Sequence, residues 1–219
     1  MIKGDSDEYE LLEYAVEQCY KLNNPNYILT CEIGVREGLG SKRMMDLLTT
    51  KNHKTHYHIG IDPYGSLKYP HFDDPKKWND NRESRTVAID PGGTGAKYSN
   101  TMRDQLKEDF LPYPNFHLMN MTDLKFMDLY KRGLPVYYDG HPCICSEYSC
   151  VHFDGPHQTK DILRQALFFC DRSHPGTTFC FDDYQVYNME LIQCVCMAFG
   201  FEEIKKGKQK IVLRREYET

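Results

Sequence analysis

Of the chain's 219 residues, 40% are hydrophobic and 13% aromatic, enough to bury a core and incompatible with wholesale disorder. Lys and Arg number 27 against 32 Asp and Glu, a formal net charge of −5, which excludes the global basic footprint of a nucleic-acid binder. The length suits one domain with a modest insertion, and no stretch approaches the roughly 18 consecutive apolar residues of a membrane-spanning helix.

Met1 to Glu8 is acidic and lacks the apolar run of a secretory signal. Asp7 to Leu22 then sets Leu11, Leu12, Ala15, Val16 and Cys19 on one face at helical spacing and predicts an amphipathic helix, ended by Asn23-Asn24-Pro25-Asn26. Tyr27 to Ile33 is a short, nearly continuous apolar run, the pattern of a strand buried on both faces. Gly34 to Gly40 is a glycine-rich turn. Ser41 can then cap a helix through Leu48, with Met44, Met45, Leu47 and Leu48 inward. Tyr57 to Asp62 predicts a second strand that ends in an acid.

Residues 64–97 break this rhythm, being rich in Gly, Pro, Asp, Asn and Lys around the single Trp78. They predict an irregular insertion, either a surface loop or a lid carrying contacts such as Tyr69, Trp78 and Arg82. Its Pro91-to-Lys97 stretch fails the phosphate-loop pattern, because Ala96 precedes Lys97 and Tyr98 follows it.

Beyond the insertion, Asn100 to Phe110 predicts a helix, Phe116 to Asn120 a strand and Asp123 to Lys131 a helix. Ser149 to Asp154 is a strand, and Thr159 to Asp171 a helix with Ile162, Leu163, Ala166, Leu167 and Cys170 inward. Thr177 to Asp182 is a strand and Glu190 to Phe199 lies in a helix. Phe201 to Ile204 and Lys210 to Arg214 flank Lys206-Gly207-Lys208 as a hairpin. The basic run Lys205 to Lys210 is expected at its solvated tip. His141, Cys143, Cys145, Cys150 and His152 lack the spacing of a zinc site and predict a loop with reduced thiols. The odd count of nine cysteines, with Cys31, Cys170, Cys180 and Cys194 in core segments, points the same way and to a cytoplasmic location.

Strands alternating with helices predict a single α/β domain: a doubly wound, mostly parallel, seven-stranded sheet closed by a C-terminal antiparallel hairpin. Ligands of such sheets bind beyond the carboxyl ends of the strands. Three of those ends carry an acid, at Asp62, Asp154 and Asp182.

The first turn reads Glu32-Ile33-Gly34-Val35-Arg36-Glu37-Gly38-Leu39-Gly40. A dinucleotide fingerprint would need glycine where Arg36 and Leu39 stand, which counts against a nicotinamide or flavin oxidoreductase. Glycines at 34, 38 and 40 still let backbone approach a ligand, and Asp62 at the end of the next strand can accept hydrogen bonds from both hydroxyls of a ribose.

With Phe153-Asp154-Gly155-Pro156-His157, Pro175-Gly176 before Phe181-Asp182-Asp183-Tyr184, and the closing hairpin, these residues resemble the class I S-adenosylmethionine-dependent methyltransferases. The resemblance covers about residues 27–214 outside the insertion. The Asp-Gly-x-His and Asp-Asp-Tyr segments look like the macrocin O-methyltransferase type, which acts on sugar hydroxyls of natural products. The resemblance implies a Rossmann-like methyltransferase fold with S-adenosyl-L-methionine as cofactor. Glu32, Gly34, Gly38 and Gly40 would form its turn, with Glu32 and Gly34 facing the methionine part, Asp62 holding the ribose, and Thr122 and Asp123 bordering the adenine.

Strands ending at Asp154 and Asp182 are expected side by side, with Asp183 next in sequence. Three crowded carboxylates repel unless protonated or paired, and Mg²⁺ or another hard divalent cation takes oxygen ligands of this kind. Adjacent strand residues face opposite ways, so Asp183 joins only if the chain turns there; otherwise it caps the next helix. The resembling family uses these three acids for a metal, which would orient a substrate hydroxyl and acidify it. Where that family often has a further Asp, this chain has Pro156. His157, three residues after Asp154, is the substitute proton acceptor, in a titration range that suits the task.

The sequence reading is thus a metal-assisted O-methyltransferase of a small hydroxylated molecule, sugar or diol, with no nucleic-acid or membrane partner and self-association left open. The alternative is a cofactor-binding module of the same fold without transfer activity, serving a regulatory or assembly role.

Overall fold

A computed structural model describes residues 2, 4, 7–22, 27–50, 55–65, 68–70, 86–88, 99–138 and 141–216. The expected elements are in place: α1 (Tyr9–Leu22), β1 (Ile28–Ile33), α2 (Leu39–Thr50) and β2 (His56–Ile61). Within the insertion, β3 (Lys68–Pro70) pairs antiparallel with β4 (Thr86–Ala88). The contacts expected of Trp78 and Arg82, and the Pro91–Lys97 stretch, lie outside the described residues, as does the side chain of Tyr69. The chain continues through α3 (Asn100–Asp109), β5 (Phe116–Met119) and α4 (Asp123–Leu129). A hairpin of β6 (Leu134–Tyr138) and β7 (His141–Cys145) follows, then β8 (Tyr148–Phe153), α5 (Thr159–Cys170), β9 (Ser173–Phe181), α6 (Met189–Met197), β10 (Phe201–Lys206) and β11 (Ile211–Arg215).

Seven strands form one sheet in the order β10-β11-β9-β8-β1-β2-β5. Pairs from β9 through β5 are parallel, while β11 runs antiparallel to both β9 and β10. The order reverses at β1, whose two neighbours β2 and β8 follow it by crossovers in opposite directions. That reversal opens a crevice beyond the carboxyl ends of β1, β2 and β8.

The two faces of the sheet differ in chemistry. Leu29, Cys31, Ile33, Val151, Phe153, Phe179 and Phe181 point into an apolar core shared with α4, α5 and α6. Phe153 stacks on Phe181 with ring centres 4.3 Å apart, and each such buried ring contributes roughly 1.5–3 kcal/mol. The alternate residues face α1 and α2: Ile28, Cys150, Cys180 and Val212 pack on Leu12, Val16, Met44 and Leu48. Nearer the carboxyl ends, the residues of this second face turn polar (Thr30, Glu32, His152 and Asp182), and all are buried.

Two expectations are corrected here. Leu134–Tyr138 and His141–Cys145 are paired strands rather than a loop, tied to the sheet by Tyr57, whose hydroxyl donates to the carbonyl of Tyr137. His141 and Cys143 lie on that hairpin while Cys150 and His152 lie in the main sheet, so the five candidate zinc ligands do not gather; all nine cysteines are free. Lys210 is not at a solvated tip but wholly buried. Among the described residues, no helix is long and apolar enough to cross a membrane.

Candidate active site

A cleft of about 230 Å³ opens beyond the carboxyl ends of β1, β2, β5 and β8, lined by Gly34, Asp62, Thr122, Asp123, Asp154 and Pro156 among others. Backbone hydrogen bonds extend the sheet into it: Gly34 N donates to Ile61 O, Asp154 N to Ile33 O and Asp182 N to Phe153 O. The acids at the strand ends are therefore held in register by the ladder itself.

Asp62 is the centre of the nucleotide half. Its Oδ2 accepts the N–H groups of Val35 (3.0 Å) and Arg36 (2.9 Å). Arg36 takes a left-handed conformation, φ 48°, to aim its N–H there, and its carbonyl accepts the hydroxyl of Tyr64. The other oxygen, Oδ1, is buried and has no hydrogen-bond partner among the described residues. Burial pushes the Asp62 carboxyl up to about 7, against the opposing pull of the two backbone donors. A buried acceptor without a donor is costly, and a ligand that brings hydroxyl donors relieves it.

Across the cleft, Thr122 caps α4 by accepting the N–H of Lys125, and Asp123 opens the helix. Asp123 is fixed by Gln165, whose Nε2 donates to its Oδ2 at 2.7 Å. Gln165 and the cleft residue Asp161, one turn apart on α5, were missed by the sequence reading. Their spacing of four residues on a helix that starts at a strand's carboxyl end was the available signal.

The remaining turn residues serve the scaffold. Glu32, Gly38 and Gly40, expected at the cofactor, do not line the cleft. Ser41 donates to Glu32 Oε2, and His152 Nδ1 donates to Oε1 at 2.8 Å. Because the Ser41 proton is committed there, His58 Nε2 donates to Ser41 (2.9 Å) and Thr30 donates to His58 Nδ1 (2.8 Å). Burial lowers His58 to about 4, keeping it neutral for that role. Gly40 leaves room for this network, since a β-carbon there would meet Glu32 Oε1 at 1.9 Å. Gly38, at φ 90°, packs against Leu106 and Phe110.

In the acidic half, Asp154 stands on the cleft wall, and burial followed by the charge of Asp182 raises its carboxyl well above the usual range. His157 Nε2 lies 3.9 Å from Asp154 Oδ1. Its ring stacks on Tyr187, which keeps it buried and off the cleft wall; Gln158, not His157, is the cap of α5.

The chain does turn at Asp183, φ 47°, and its side chain makes no capping bond. Yet the three acids expected to share a divalent cation are arranged differently. Among the described residues, the metal-type ligands that come within 4.8 Å of one another are Glu32, His152 and Asp154, not Asp154, Asp182 and Asp183. Both oxygens of Glu32 are already engaged. Asp182 Oδ1 accepts Lys210 Nζ at 2.7 Å and the Asp183 N–H at 2.9 Å. The side chains present do not fit a divalent ion at Asp182 without displacing a buried ammonium.

NovP, an O-methyltransferase, superposes with a TM-score of 0.62 at 13% identity, over 95% of this chain and 79% of that one. CalS11, a calicheamicin methyltransferase, gives 0.60 at 13% identity, over 94% and 78%. An O-methyltransferase from Bacillus cereus, solved in complex with SAH, gives 0.54 at 9% identity, over 97% and 81%. The fold is a Rossmann-like methyltransferase fold. No protein-family model matches the sequence, and no curated protein matches it either. At these identities the likeness is one of architecture.

Proposed function

We propose that the chain is an S-adenosylmethionine-dependent O-methyltransferase acting on a hydroxyl of a small sugar- or diol-like molecule. The observation that carries this reading is Asp62: a buried carboxylate in the cleft with one oxygen held by two backbone N–H groups and the other without a donor. A ribose diol supplies the missing donors. Thr122 and Asp123 would border the adenine, and Gly34, bare of a side chain beside Asp154, would face the amino-acid end. The fold shared with methyltransferases supports the same cofactor, and one neighbour was solved with SAH.

When bound, S-adenosylmethionine supplies an electrophilic methyl group on its sulfonium. The protein's part is to align a substrate hydroxyl and take its proton. Asp154 is the cleft-facing acceptor, its proton affinity raised by burial and by Asp182. His157 Nε2 stands 3.9 Å from Asp154 Oδ1, beyond hydrogen-bond distance, so it is a neighbour of the acceptor and not its direct partner. The test is transfer of a labelled methyl group to a panel of sugars and diols, alongside calorimetric binding of S-adenosylhomocysteine. Transfer together with binding supports the reading; absence of binding overturns it.

Pro156 on the cleft wall favours a second reading, a module that binds the cofactor without transferring its methyl. Binding without transfer across the panel would select it.

A further inference from the structure

We propose that Lys210 is the resident cation of the acidic half of the site and takes the place of a divalent metal, so that the protein works without one. Its side chain is wholly buried, and Nζ meets Asp182 Oδ1 at 2.7 Å. Asp154, the neighbouring carboxyl, is pushed up by desolvation and by Asp182, and the same ammonium draws it partly back. A buried carboxyl, Asp182, and a half-buried one, Asp154, at adjacent strand ends need a positive charge, and the fold brings one of its own.

The position of that charge is built from three directions. Ile211 pairs with Phe181, which sets Lys210 opposite Asp182 across the β9–β11 ladder. Glu8, entering α1 at φ 58°, accepts the N–H groups of Lys208, Gln209 and Lys210 at 2.8, 2.8 and 3.0 Å. Tyr184, just past the acids, donates its N–H to Gln209 O and its hydroxyl to Gly207 O. The tip of the last hairpin is thus fastened to Glu8, just before α1, and to the segment following Asp182. The second donor to Asp182 Oδ1, the Asp183 N–H, leaves that oxygen fully engaged. Lys210 is a positioning residue: it acts through Asp182 and Asp154, and Asp154 meets the substrate.

The experiment follows Mn²⁺ through the paramagnetic resonance signal of the free ion, which does not depend on turnover. Wild-type protein should leave the signal unchanged, and EDTA should leave methyl transfer unchanged. Lys210→Met, checked first for thermal unfolding, should bind Mn²⁺ at least about tenfold more tightly than wild type, as oxygen ligands released from an ammonium take up a hard cation. That gain should vanish in the double variant with Asp182→Asn, and Lys210→Arg should keep the ion out. Wild-type Mn²⁺ binding that Asp182→Asn abolishes, transfer stopped by EDTA, or a folded Lys210→Met with no gain would each overturn the proposal. If Lys210→Met does not fold, the wild-type and Lys210→Arg arms decide. The inference builds on the methyltransferase reading, but the two fail separately. Loss of S-adenosylhomocysteine binding removes that reading, while the manganese arm still judges Lys210.

Discussion

The carbonyl oxygen of Asp154 passes so close to Gly34 that a β-carbon on that glycine would stand 2.0 Å from it. Two strand ends, β1 and β8, converge backbone to backbone at this point, and Gly34 also holds φ 87°, a region that side chains disfavour. The glycine of the first turn is therefore required by the protein's own chain as well as by any ligand.

Gly34→Ala should cost about 3 kcal/mol or more of folding stability, from left-handed strain and a backbone clash that no rotamer relieves. Urea unfolding of the variant and the wild type measures it. A loss below about 1 kcal/mol would mean that the two loops part freely.

Asp62 makes the stability of the ligand-free protein depend on pH. Its folded carboxyl titrates near 7, above the ordinary 3.8, so the folded state holds a proton that the unfolded chain releases. Stability should fall as pH rises from about 4 to about 7 and level off above that. Asp62→Asn removes the cost, stabilising the protein at pH 8 by a few kcal/mol at most (~2–4) and changing little at pH 4. Equal stability of the two proteins at pH 8 would contradict the burial argument.

Ligand binding should carry the opposite signature. Hydroxyl donors favour the ionised carboxylate, so S-adenosylhomocysteine affinity should climb as pH approaches about 7 and then flatten, with proton release visible in buffers of different ionisation enthalpy. Asp62→Asn should weaken binding by ~1–3 kcal/mol and erase the pH dependence. An unaltered pH profile in the variant would take Asp62 out of the ligand site.

Glu32 separates scaffold from ligand site. Its carboxylate serves Ser41 and His152 and, although near Asp154, is not part of the cleft wall. Glu32→Gln should therefore cost ~1–3 kcal/mol of stability while leaving S-adenosylhomocysteine affinity nearly unchanged. A variant of normal stability that has lost the ligand would place Glu32 back at the cofactor.

Between the two candidate proton acceptors, Asp154 faces the cleft and His157 does not. Asp154→Asn should lower the transfer rate by ~10²–10⁴-fold, and His157→Gln by much less. The acidic limb of the pH–rate profile should survive His157→Gln. If it disappears, His157 is the acceptor after all.

Hydrophobic period and turn chemistry were enough to read helices α1 to α6 and the seven strands of the main sheet from sequence. Alternating strands and helices imply the parallel sheet, and the acids at 62, 154 and 182 mark its carboxyl edge. Those signals are local, set by residues a few positions apart. What they lack is direction and partner. Lys210 sits in a run of lysines whose other members stay at least partly exposed, and only the β9–β11 register and a carboxylate from Glu8, 202 residues away, turn it inward. Gly40 looks like a ligand-binding glycine but is needed because Glu32 lies beneath it. The hairpin of β6 and β7 carries a proline in each strand, Pro135 and Pro142, residues that remove a ladder donor, so its pairing prevails over a local signal against a strand. In each case the deciding interaction spans distant parts of the chain. Such contacts form only when the sheet closes, because burying a charge or a polar group is tolerable only with its partner already in place.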